Sequence, residues 1–195
     1  NNEYITKARN IFDQYNKNKS SLDPNLVATV VSIVANHGDE NTYKEYFSRY
    51  QSASTPQEKM RFLFSLAEFK DSSLLNQTLE ASISKEVKNQ DAPYLIAYTL
   101  RNYRHTETVW NFIENNWEII KKKFPDNSIP RIFGGVKIVS SKRLASRIED
   151  FFNNNPIPQG QKTIDQNIEK MYINIKFIEY QKGILNRFVK NGGRG

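Results

Sequence analysis

Thr106-Glu107-Thr108-Val109-Trp110-Asn111-Phe112-Ile113-Glu114-Asn115-Asn116-Trp117-Glu118-Ile119-Ile120-Lys121-Lys122-Lys123-Phe124, followed by Pro125, reads as one complete helix written locally. Thr106 is its candidate N-cap, with a hydroxyl able to accept an orphaned first-turn N–H. Val109, Ile113, Trp117, Ile120 and Phe124 recur every three to four residues and so share one face. Lys121, Lys122 and Lys123 place positive charge at the negative end of the helix dipole. Pro125 forbids continuation. Glu114 and Glu118 fall away from Trp117, where they read as a solvated stripe.

The same grammar extends in both directions. Helical spacing marks 3–18, 24–36, 40–52, a segment opened by Thr55-Pro56, one capped by Asp71, and one opened by Asp91 and Pro93 that runs through Leu100. Thr55 and Glu58 have the spacing of a capping box. Beyond Pro125, 141–154 and about 162–190 continue the pattern, the last helix burying Ile164, Ile168, Met171, Ile175 and Ile178, then Leu185 and Val189. Residues 129–139 are read as helix despite Gly134-Gly135, which weakens helix by roughly 1 kcal/mol per glycine relative to alanine.

About ten helices joined by short Pro, Gly or Asx breaks predict antiparallel neighbours. The expected fold is all-α: a HEAT/armadillo-like right-handed solenoid forming a single domain over 1–190. Residues 191–195, Asn-Gly-Gly-Arg-Gly, read as a flexible tail.

Composition removes several functions. With 38% apolar and 25% charged residues, the chain belongs to the globular class rather than the disordered one. No run of eighteen apolar residues exists and no signal-peptide pattern opens the chain, so a membrane partner is not expected. Asn1 in place of Met points to a piece of something longer. The absence of cysteine removes disulfides, thiolate metal sites and a cysteine nucleophile, and fits a cytoplasmic location. The net charge of +7 lies wholly in the second half: residues 1–90 hold 11 basic and 11 acidic side chains, and 91–195 hold 17 and 10. Arg131, Lys137, Lys142, Arg143 and Arg147 form a cluster within it. With no RNA-binding signature beside it, this charge is read as a solvated face or the complement of an acidic neighbour, and nucleic acid is not expected.

Two histidines, His37 and His105, stand far apart and neither is followed by Glu, so no His-Glu-x-x-His zinc helix is present. A nucleophile elbow, a P-loop and a dinucleotide fingerprint are also missing. His105, in the loop Asn102-Tyr103-Arg104-His105, has the arginines and tyrosine around it to bind an anion. No catalytic residue is assigned.

Trp110-Asn111-Phe112, Asn116-Trp117, Phe151-Phe152 with Pro156-Ile157-Pro158, and the Ile168 to Ile175 run, in order after Asp91-Ala92-Pro93 and Arg101-Asn102, resemble the C-terminal helical domain of the zinc aminopeptidases. That family includes aminopeptidase N and the puromycin-sensitive, endoplasmic-reticulum and tricorn-interacting enzymes. Tyr103-Arg104-His105-Thr106 departs from a common Pro-x-Gly-Arg, and Phe177 stands where a late tryptophan is frequent. The resemblance implies a non-catalytic cap that encloses the peptide cavity and helps to bind and size-select substrates. No cofactor is implied in this chain; zinc is expected in a separate catalytic domain, which becomes the implied partner together with peptide substrates. Arg101 matches a position that faces the cavity in some members; Arg104 and His105 are further candidates for peptide binding. The competing reading is a freestanding HEAT-like scaffold for an acidic protein, peptide or nucleic acid.

Overall fold

The computed structural model describes residues 2–190, which are helical without any strand. The predicted tail, 191–195, lies outside the described residues. Eleven α-helices follow one another: α1 Asn2–Lys17, α2 Pro24–Asn36, α3 Glu40–Ser52, α4 Pro56–Ser65, α5 Ser72–Ile83, α6 Ala92–Leu100, α7 Thr106–Asn115, α8 Trp117–Lys123, α9 Ile129–Ile132, α10 Lys142–Asn154 and α11 Gln161–Lys190.

Side-chain caps set many of the boundaries. Asp23 accepts from Asn25 N at 2.8 Å, Asp39 from Thr42 N at 2.9 Å, Asp71 from Ser73 N at 2.7 Å and Ser141 from Leu144 N at 3.3 Å. Thr55 accepts from Glu58 N at 3.2 Å, which is half of the expected capping box. The Glu58 carboxylate is engaged by Lys19 Nζ at 2.7 Å, tying the segment after α1 to α4.

Helices pair in chain order, α1 with α2, α3 with α4, and α5 with α6. The second member of each pair also packs on the next: α2 on α4, α4 on α6, and α6 on α9 and the 3-10 turn Phe133–Ile138. This two-layer pairing is what a HEAT-like stack requires. One apolar core runs through the layers from Ala8 to Ile175. It holds two aromatic knots: Phe12, Tyr46, Phe62 and Phe69 toward the start, and Trp110, Trp117, Phe133, Phe151 and Phe152 toward the end. Tyr46 carries its hydroxyl into the core by donating to Val31 O at 2.9 Å, and burial holds its phenol protonated well above the usual range.

The stretch 106–124 is two helices rather than one. At Asn116 the backbone turns to φ −110°, ψ 17°, and both Asn116 N (3.0 Å) and Nδ2 (2.9 Å) donate to Phe112 O. An asparagine side chain that competes for the backbone carbonyl breaks the helix without redirecting its face. Val109, Ile113, Trp117, Ile120 and Phe124 are all buried. Thr106 is not the cap: His105 occupies that position, and the Thr106 hydroxyl donates back to Asn102 O at 3.3 Å.

Residues 129–139 form a single turn of α-helix and then a 3-10 turn, because the two glycines serve close packing rather than helix. A Cβ on Gly135 would stand 2.6 Å from Ala97 O and 2.6 Å from Leu100 Cβ of α6. In α11 only the first half is seated. Ile164, Met171 and Ile175 are buried, whereas Leu185 and Val189, expected inside, are exposed. The spacing of their apolar residues is right, but nothing among the described residues lies beside them.

Candidate functional site

Helix α6 is enclosed on almost every side. Ala92, Pro93, Leu95, Ile96, Ala97, Thr99 and Leu100 are buried, which leaves Tyr94, Tyr98 and Arg101 to reach the surface at i, i+4 and i+7. Each is matched by a neighbour. Tyr98 lies flat on Phe64 of α4, with ring centroids 4.4 Å apart and planes at 9°. The Arg101 guanidinium sits 5.0 Å from the Tyr98 ring centre, and that of Arg131 5.1 Å from the Tyr94 ring. The outcome is an aromatic shelf edged with guanidinium groups.

Lys137 of the 3-10 turn joins that edge. Its ammonium is held below the ordinary lysine range, first by burial and then by the nearby Lys170 and Arg101 charges. The basic cluster legible in the sequence therefore divides. Lys142 pairs with Glu179 at 2.8 Å, Arg143 with Glu107 and Arg147 with Glu114. Among the described residues Arg101, Arg131, Lys137 and Lys170 have no acidic partner, and the first, third and fourth are near enough for the Arg101 and Lys170 charges to act on Lys137. Sequence reasoning missed Lys137 and Lys170 as members of a site; the legible signal was the i, i+4, i+7 polar stripe on an otherwise apolar α6.

On the other side of Tyr98 a groove of about 450 Å³ runs between α2, α4 and α6, with Ser32, Met60, Phe64 and Glu68 among its walls. Burial lifts the Glu68 carboxyl above the usual carboxylate range, opposed by the Arg104 charge. A larger hollow of about 730 Å³ lies between α3 and α5, but its lysine, Lys44, is already paired with Glu40 at 2.6 Å.

Arg101, Arg104 and His105 do not share one partner. Arg101 is on the Tyr98 shelf, while Arg104 lies over Tyr103, 4.3 Å from its ring centre and exposed to solvent. His105 Nε2 donates to Lys70 O at 2.7 Å, which fixes the proton on that nitrogen and fastens the 101–105 loop to the connection between α4 and α5. Asn102, absent from the expected site, does the same work twice: its Nδ2 donates to Ala67 O and Phe69 O, both at 3.0 Å. These two staples position Arg101 and Arg104. His37 is likewise engaged, 3.0 Å from Lys70 Nζ through Nδ1, while Arg9 Nη2 donates to its carbonyl at 2.7 Å. Among the described residues no three His, Asp or Glu side chains gather as a metal would require. No described helix is long and apolar enough to cross a membrane.

These features define a two-layer helical stack that presents an aromatic, cationic face. The chain belongs to the ERAP1-like C-terminal domain family, which matches residues 1–173. It is 28% identical over 187 residues to aminopeptidase M1-C of Oryza sativa subsp. japonica, covering 93% of this chain and 21% of that protein. With endoplasmic reticulum aminopeptidase 2 of Bos taurus it shares 29% identity over 192 residues (95% and 20%), and with glutamyl aminopeptidase of Sus scrofa 27% over 192 residues (96% and 20%). The chain thus spans about a fifth of the length of the curated relatives it matches.

Proposed function

We propose that this chain is the non-catalytic helical domain of a zinc aminopeptidase. It closes over a separate catalytic domain, encloses the peptide cavity and holds the far end of the substrate. The observation that carries this reading is Arg101 over the Tyr98–Phe64 shelf, within electrostatic reach of Lys137 and without an acidic partner among the described residues. Unspent guanidinium and ammonium groups over an aromatic surface are suited to a peptide carboxylate, which Arg receives in two parallel hydrogen bonds. Arg104 stands at the rim, and His105 and Asn102 keep the loop in place. Holding the carboxyl end at a fixed site while the amino end is processed elsewhere makes turnover depend on peptide length. Zinc and the groups that activate water belong to the catalytic domain, and no step is assigned to residues here.

The test is binding of labelled peptides to the chain. A free carboxyl end is expected to bind about tenfold more tightly than its amide, a difference of ~1.4 kcal/mol, and Arg101→Ala with Lys137→Ala is expected to abolish that preference. Equal affinity for acid and amide would refute the anchor. Hydrolysis of an aminoacyl reporter that copurifies with the chain through successive columns would refute the non-catalytic assignment.

A further inference from the structure

Glu68 is a half-buried acid that faces a groove. Glu45, Glu58, Glu107 and Glu114 each hold a basic side chain of this chain. Glu68 is half-buried in the groove beside Tyr98, yet no hydrogen bond or ion pair reaches its carboxylate among the described residues. A half-buried carboxylate without a partner is costly, and a chain of net charge +7 has cations to spare for it. The cations nearby are directed elsewhere. Arg61, on the groove wall, donates toward Tyr15 Oη at 3.5 Å, and Arg104 is folded over Tyr103. Met60, Phe64 and Tyr98 supply apolar and aromatic wall to the groove, beside the small or neutral polar Ser32, Gln57 and Ser65.

We infer that this groove is a side-chain subsite for an arginine or lysine of the bound peptide, whose alkyl stem lies along Met60 and Phe64 and whose charge meets Glu68. The inference rests on the peptide-binding reading above. A carboxylate in a groove with apolar and aromatic wall fits a long basic side chain, because the stem takes the hydrophobic wall while the head takes the charge. About 450 Å³ is ample room for it. Tyr98 is the shared wall between this groove and the Arg101 edge, so the basic residue precedes the anchored carboxyl end by about one to three residues of extended chain. The substrate class is therefore peptides with a basic residue shortly before the C-terminus.

The experiment crosses two variables in labelled peptides of one length: arginine or its neutral isostere citrulline at those positions, and a free or amidated carboxyl end. Citrulline is expected to weaken binding to the chain by about tenfold. Glu68→Gln, with an unchanged melting curve as its control, is expected to erase the arginine preference while keeping the preference for a free carboxyl end. Glu68→Asp, shorter but charged, is expected to retain part of it. Equal binding of arginine and citrulline peptides, or an arginine preference that survives Glu68→Gln, overturns the subsite. If arginine matters and the carboxyl end does not, the subsite stands and the carboxylate anchor falls. If no peptide binds, both fall.

Discussion

The indole N–H of Trp110 donates to Glu114 Oε1 at 2.7 Å, one turn along α7. The same carboxylate receives Arg147 of α10, whose Nε stands 3.1 Å from Oε1 and whose Nη2 bonds Oε2. The glutamate that the sequence assigns to a solvated stripe is thus the link between a fully buried tryptophan and the next helix.

That link sets an order of damage. Glu114→Ala leaves a buried indole donor and Arg147 without their acceptor, at an expected cost of about 1–3 kcal/mol. Glu114→Gln keeps one oxygen for Trp110 Nε1 and Arg147 Nε but sets an NH2 where Oε2 received Arg147 Nη2, so it is expected to cost less than removal of both oxygens. Urea denaturation of the two variants checks the order; equal losses would mean that the indole bond contributes nothing. The other tryptophan is a built-in contrast. Trp117 Nε1 is buried with no partner among the described residues, so Trp117→Phe, which removes an unsatisfied donor, is expected to cost less than Trp110→Phe.

The neighbouring glycines Gly134 and Gly135 have opposite roles. A Cβ on Gly134 would meet only Arg101 Nη2, at 3.9 Å, an ordinary contact, whereas one on Gly135 would strike the backbone and side chains of α6. Gly135→Ala is expected to destabilise by about 1–3 kcal/mol through overpacking. Gly134→Ala is expected to be neutral or stabilising by up to about 1 kcal/mol, since it restricts only the unfolded chain. Thermal melts of the two variants decide it.

These cases show what local pattern conveys. Caps such as Asp71 and Thr55, and apolar spacing in α2, α3 and α10, are properties of a few consecutive residues and are legible. The break at Asn116 was not, because every apolar residue around it keeps helical register while one side chain takes the carbonyl of Phe112. The site was legible only in part for a related reason. Arg101 could be named from its motif, but Lys137, Lys170, Phe64 and Glu68 come to it from other helices, and their lack of partners is a tertiary fact. His105 reads as an anion ligand in a loop with two arginines; only the fold shows its Nε2–H spent on Lys70 O.

His37 gives the stability a pH dependence of definite sign. Burial first, then the charges of Lys70, Arg9 and Arg104, hold its imidazole below the ordinary histidine value. The folded state therefore prefers neutral His37. Its contribution is complete above the unfolded value, about 6.5, and is lost as pH falls through the lower folded value. Glu68, raised by burial, works in the opposite sense, while Asp39 and Asp71, lowered by the N–H and hydroxyl bonds of their caps, act only below the ordinary carboxylate range. The measure is accordingly a difference: between about pH 7.5 and 5.5, the melting temperature of the native chain is expected to fall further than that of His37→Gln. Parallel curves would remove His37 from the account.

Helix α11 divides at about Ile175. Up to that point Ile164, Met171 and Ile175 are buried, and Asn174 Nδ2 donates to Val139 O at 3.1 Å. Beyond it Phe177, Tyr180, Ile184, Leu185, Phe188 and Val189 are exposed. Beyond Glu179, which pairs with Lys142, no residue of the helix is buried, so this end is held mainly by its own hydrogen bonds, which are marginal in water at this length. Amides of about residues 180–190 are expected to exchange at close to unprotected rates, while those of Ile164–Ile175 exchange only on opening of the core. Phe177→Ser and Phe188→Ser should leave the melting temperature of the chain unchanged, whereas Met171→Ala, at a fully buried position, should cost about 2–5 kcal/mol. Strong protection of residues 180–190 in the chain by itself would mean that the outer stripe finds a partner, and the concentration dependence of that protection would show whether the partner is a second copy.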